Sequence, residues 1–144
     1  MNPDDLSYTE VAALINEIKE FLNHPVFNTP TTGKYKREDV LTDKVNGIIY
    51  KLSIYRGNIE SKYSMHIRFT SNNEHLVRLC IHGSKHHNDD RTIVSGSHIH
   101  IYKNHDGQYI EAYAYSLEKT PFNEADDLAE SMEKFFQFVH VKGV

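Results

Sequence analysis

Cysteine occurs once among the 144 residues, at Cys80, so the chain forms no internal disulfide. A lone thiol also supplies no thiolate pair, which argues against a closed zinc site of the cysteine-rich kind. No apolar run approaches the roughly 20 residues that a spanning helix requires, and Met1-Asn2-Pro3-Asp4-Asp5 is neither basic nor apolar as a leader is. A cytoplasmic, soluble protein with no membrane partner is therefore expected. With 39% apolar and 25% charged residues, disordered, collagenous and coiled-coil chains are excluded, and the length suits one domain over residues 1–144. No diagnostic catalytic motif is present. What the chain does have is histidine, ten residues of it, none in a terminal tag.

Near the N-terminus, Ser7-Tyr8-Thr9-Glu10 fits a capping box, and Leu6, Val11, Leu14, Ile15, Ile18, Phe21 and Leu22 recur at helical spacing. This predicts a helix ended by Asn23-His24-Pro25, because proline disfavours helical geometry before it. Residues 26–46, with Thr29-Pro30-Thr31-Thr32-Gly33 and a charged stretch after them, read as a loop with one short extended piece. From Gly47 the period changes to two. Segments 48–55, 62–70, 76–82, 97–102 and 109–115 are rich in branched and aromatic residues and predict five strands joined as an antiparallel meander. Phe122 and Asn123 then suit the start of a last helix whose inner stripe is Ala125, Leu128, Ala129, Met132, Phe135, Phe136 and Val139. The fold class expected is α+β, with both helices packed on one face of the five-stranded sheet.

Strand alternation then assigns the other face. It receives His66, His82, His98 and His100, the cations Lys51, Lys62, Arg68 and Arg78, and the phenols Tyr55, Tyr102, Tyr109, Tyr113 and Tyr115, with almost no carboxylate. Residues 62–105 carry a net charge of +3 within a chain of −4, so the remainder carries −7. Such asymmetry suits a local patch for a phosphate or polyanion. The loop Gly83-Ser84-Lys85-His86-His87-Asn88-Asp89-Asp90-Arg91 joins two of the histidine-bearing strands and concentrates the polar groups there.

Three functions suit this pattern. The first is binding of RNA or another phosphate-bearing ligand, with metal-independent endoribonuclease chemistry and no cofactor. His98 or His100 would serve as base and His82 or His87 as acid, Arg78 and Arg91 as phosphate clamps and Tyr102 as a donor. His66, Arg68, Lys85, Tyr113 and Tyr115 would add ligand contacts, the tyrosines by stacking on bases. His98 and His100 lie two apart, roughly 7 Å between Cα atoms, a span that flanks a phosphate. The second is a metal site built from His82, His98 and His100, with His86, His87, Asp89 or Asp90 completing the set; Arg68 and Arg78 oppose a divalent ion there unless an anion offsets them. The third is a non-enzymatic module binding a partner protein or nucleic acid. Cys80 reads as inert filler of its strand.

Arg78-Leu79-Cys80-Ile81-His82-Gly83, His87-Asn88-Asp89-Asp90, His98-Ile99-His100-Ile101-Tyr102, Ala112 and Ala114 together resemble a family of small uncharacterised bacterial and phage-borne proteins. These carry a His-x-Asn loop ahead of a His-x-His-x-Tyr strand; the proline and glycine of their loop are absent here. The resemblance implies that loop and strand act as one unit, and an accessory role in a phage or mobile element. By analogy, the open sheet face is also similar to that of small toxin endoribonucleases.

Overall fold

The computed structural model describes residues 1–143. In chain order it contains α1 (Tyr8–Asn16), β1 (Lys19–Phe21), β2 (Tyr35–Asp43), β3 (Ile48–Arg56), β4 (Tyr63–Phe69), β5 (His75–Ile81), β6 (His86–His87), β7 (Ile93–Val94), β8 (His98–Asn104), β9 (Ile110–Ser116), α2 (Leu128–Phe138) and β10 (Val141–Lys142). The main sheet has eight strands in the order β10-β1-β2-β3-β4-β5-β8-β9, while β6 and β7 form a separate hairpin. Pairing is antiparallel except between β1 and β10, which run parallel.

This overturns the expected α+β meander of five strands with two helices on one face. The chain is mostly β, and its sheet is larger and mixed. One reason lies in residues 26–46. Charges at Lys36, Arg37, Glu38 and Asp39 mask the alternation of a nine-residue strand, β2, which pairs with β3 along its whole length. Arg37 and Asp39 form an ion pair, and buried Arg56 donates to the carbonyls of Gly33 and Pro30 at 2.7 and 2.8 Å, tying the preceding loop to β3.

A second reason is Lys19. The helix predicted to run to Leu22 ends at Asn16, although its Ser7–Glu10 capping box is formed as expected. Fully buried Lys19 donates to the carbonyls of Leu14 at 2.6 Å, Glu17 at 2.9 Å and Val139 at 2.7 Å, so one ammonium satisfies the open end of α1 and the turn before β10. Burial lowers its pKa to about 8. The last helix also starts later than expected: Asp127, not Asn123, is its N-cap, in a capping box with Glu130, and Ala125 and Ala129 lie exposed.

Alternating residues of the central strands, Tyr50, Leu52, Ile54, Met65, Ile67, Leu79, Ile81 and Ile99, form the buried core with Leu6, Val11 and Leu14 and with Leu128, Met132, Phe135 and Phe136. The intervening residues form the opposite face. Its side chains fall in rows fixed by the register: Ser53, His66, Arg78, His100 and Ala114 in one, Tyr55, Ser64, Cys80, His98 and Ser116 in the next. Among the described residues no helix is long and apolar enough to cross a membrane.

A candidate metal centre in a cationic cleft

His98 and His100 project from β8 beside Cys80 and Arg78 of β5, because Cys80 pairs with His98 and Arg78 with His100. Both imidazoles are buried, 3% and 7% exposed. His98 Nδ1 donates to the Ser95 carbonyl at 2.5 Å, and His100 Nδ1 donates to the Ala112 carbonyl at 2.7 Å. A carbonyl only accepts, so the proton of each neutral ring must sit on Nδ1. Both Nε2 atoms are then bare, yet they face each other across 2.9 Å. Two bare nitrogens at this distance repel unless a proton or a metal ion lies between them.

Burial pushes the pKa of His98 down and that of His100 down to about 4, with His86 and Arg78 adding to the depression by repulsion. Cys80 supplies what a metal needs and a proton does not. Its Sγ and one ring nitrogen from each histidine lie within 4.8 Å of one another, a set of one sulfur and two nitrogens. Burial raises the Cys80 thiol pKa, while the Arg78 guanidinium beside it acts in the opposite direction. In tetrahedral zinc, bonds of about 2.0 Å to nitrogen place two ligand nitrogens about 3.3 Å apart, so the imidazoles need to separate by only about 0.4 Å. Each Nδ1 bond to a backbone carbonyl is also the outer contact that orients a metal-bound histidine. Three converging ligands leave one tetrahedral position open.

Cys80, His98 and His100 line a cleft of about 770 Å³ on the open face, whose walls also include Tyr55, Lys62, Ser64, Arg78, Lys85 and His86. His86 arrives from the β6–β7 hairpin, its ring centroid 4.7 Å from that of His100 and 5.8 Å from that of His98. The hairpin is held at its base by Gly83 and Gly96, whose backbones meet in a 2.9 Å hydrogen bond; a Cβ on Gly96 would stand 2.0 Å from the Gly83 oxygen. At its far end the Asn88 side chain donates to the Ala114 carbonyl and accepts from the Ala114 amide, both at 2.9 Å. It thereby occupies the free edge of β9.

Several residues expected on this face are elsewhere. His82 has left the strand, with a φ of 53°, and its Nε2 donates to the Glu124 carbonyl at 3.1 Å, so it does not join His98 and His100 in a ligand set. Tyr102 is in the core, its hydroxyl donating to the Pro3 carbonyl at 2.7 Å and accepting from the Leu6 amide at 3.2 Å. A register shift between Ile67 and Arg68 lies in the neighbouring β4–β5 pair, where Leu76 and Val77 are consecutively buried. Tyr113 and Tyr115 pair with Ile101 and Ile99 and so lie on the face away from the imidazoles, which see Ala112 and Ala114. Tyr113 donates to Asp90 at 2.6 Å, fastening the hairpin tip where exposed His87 and Arg91 also lie.

His66 and Arg68 are on the expected face but bond one another: Arg68 donates to His66 Nε2 at 2.9 Å and to Ser53 at 3.0 Å. His66 also stacks on His75 at 4.3 Å, and burial with nearby cations lowers their pKa values to about 3 and about 4. Arg78 and Lys85 do line the cleft. The residue that sequence reasoning misses is Cys80. Alternation already placed it outward beside Arg78, but only the cross-strand register brings it opposite His98.

No curated protein and no solved structure matches this chain. A family model does match, over residues 6–141, a span that includes both the cleft and the hairpin above it: the chain belongs to a family of unknown function, DUF6978.

Proposed function

We propose that this protein binds one transition-metal ion of the zinc type through Cys80 Sγ and the Nε2 atoms of His98 and His100, with its remaining position open to the cleft. The observation that carries this reading is the pair of bare Nε2 atoms at 2.9 Å, each forced into that state by an Nδ1 bond to a carbonyl. One thiolate with two imidazoles suits zinc or cobalt better than magnesium or calcium, which take oxygen ligands. Three protein ligands plus an open position are the pattern of zinc sites that bind a further ligand, whereas structural sites are closed by four.

The acid–base reading on RNA casts His98 or His100 as base, which a bare Nε2 suits, and the cationic cleft favours a phosphate under that reading too. Its acid, His82 or His87, is instead held at the Glu124 carbonyl or exposed at the hairpin tip.

Protein purified without an affinity tag tests the metal reading by metal content and cobalt titration. One equivalent should bind, with tetrahedral cobalt absorption and a thiolate-to-cobalt charge-transfer band that Cys80→Ser removes. Failure to bind zinc or cobalt at equimolar concentration, or a cobalt spectrum indifferent to Cys80→Ser, overturns it.

A further inference from the structure

We infer that the cleft receives a small phosphate-bearing ligand whose oxyanion fills the open coordination position above Cys80, His98 and His100. The contact to the metal rests on the metal reading; the rest stands on the cleft itself. Lys62, Arg78 and Lys85 line it, and no carboxylate does among the described residues. None of the three cations is in an ion pair among the described residues, whereas Lys51 is paired with Glu38 and Arg68 is occupied by Ser53 and His66.

Arg78 adds a second observation. Its Nε is buried and has no hydrogen-bond partner, a donor left unsatisfied at the wall of a cleft. Buried donors without acceptors are rare in folded proteins, and this one leaves the charge of Arg78 uncompensated beside the cleft. Charge leads to the same ligand. A divalent ion on a single thiolate retains one positive charge, which Lys62, Arg78 and Lys85 then surround, so the loaded site repels itself until an anion enters. A phosphate monoester carries nearly two negative charges at neutral pH and three acceptor oxygens, enough for the metal and two of the cations. The volume of about 770 Å³ suits a small molecule and is too confined for a duplex.

Calorimetric titration of metal-free and zinc-loaded protein with inorganic phosphate, adenosine 5′-monophosphate and adenosine tests this. Phosphate and the monophosphate should bind the zinc-loaded form, and adenosine should not. Equal affinities point to free phosphate and a tighter monophosphate to a nucleotide-borne one, and either supports the inference. Lys62→Ala with Lys85→Ala, both exposed, should weaken phosphate binding about tenfold or more while one zinc remains bound. Absence of phosphate binding to zinc-loaded protein, or adenosine binding as tightly as its monophosphate, overturns it. If no zinc binds yet phosphate still does, the metal reading falls and the anion cleft stands.

Discussion

The Asn88 carboxamide pairs with both backbone groups of Ala114, donating to its carbonyl and accepting from its amide at 2.9 Å each, in the way a neighbouring strand would. This side chain caps the outer edge of the sheet at Ala114 and helps hold the hairpin that carries His86 over His98 and His100. Asn88→Ala leaves both buried Ala114 groups without partners and should cost about 2–3 kcal/mol. Denaturant unfolding measures that loss, and hydrogen exchange should show the Ala114 amide exposed. A still-protected Ala114 amide would mean that the hairpin is not held there.

Zinc binding should appear as stability. At a thousandfold excess over its dissociation constant, an ion that binds only the folded state contributes about 4 kcal/mol. Thermal unfolding should therefore shift upward on adding zinc and fall back with chelator, and Cys80→Ser or His98→Ala should abolish the shift. A rise of the same size in Cys80→Ser would remove the thiolate from the site.

Tyr102→Phe separates the two sides of β8. It deletes the hydroxyl that bonds Pro3 and Leu6 and should cost about 1–2 kcal/mol, leaving the Leu6 amide without its acceptor. Zinc affinity should not change, since Tyr102 lies in the core. If zinc affinity falls as far as it does in His98→Ala, the two faces are not separate.

Acid should destabilise the protein well above the carboxylate range. His66 and His75 have folded pKa values near 3 and 4, held down by burial and by Arg68 and Arg78, against an unfolded value of 6.5. Between these limits the unfolded chain binds more protons, so stability is full above pH 6.5 and is lost as pH falls toward 4. By pH 5 the loss should be on the order of 2 kcal/mol per histidine. Chemical denaturation in the presence of chelator measures the slope, which His66→Gln with His75→Gln should flatten. An unchanged slope in that double variant would mean that these rings are not buried neutral.

The sequence by itself determined the local structure wherever one residue pattern has one solution. Ser7 and Glu10 specify a helix start, and alternation specifies the central strands and the outward direction of Arg78, Cys80, His98 and His100, since a pleated strand allows a side chain only two sides. It did not reveal β2, where Arg37 is satisfied by Asp39 and the Val26 carbonyl and Glu38 by Lys51 of β3, nor the early end of α1, which depends on an ammonium bonding a carbonyl 120 residues away. Tertiary structure alone decided which outward residues meet. Register sets Cys80 against His98 and sends Tyr113 and Tyr115 to the other face, the carbonyl of Pro3 and the amide of Leu6 hold Tyr102 in the core, and two carbonyls fix the tautomers of His98 and His100. Each of these is a pairing between distant segments, and periodicity within one segment carries no information about its partner.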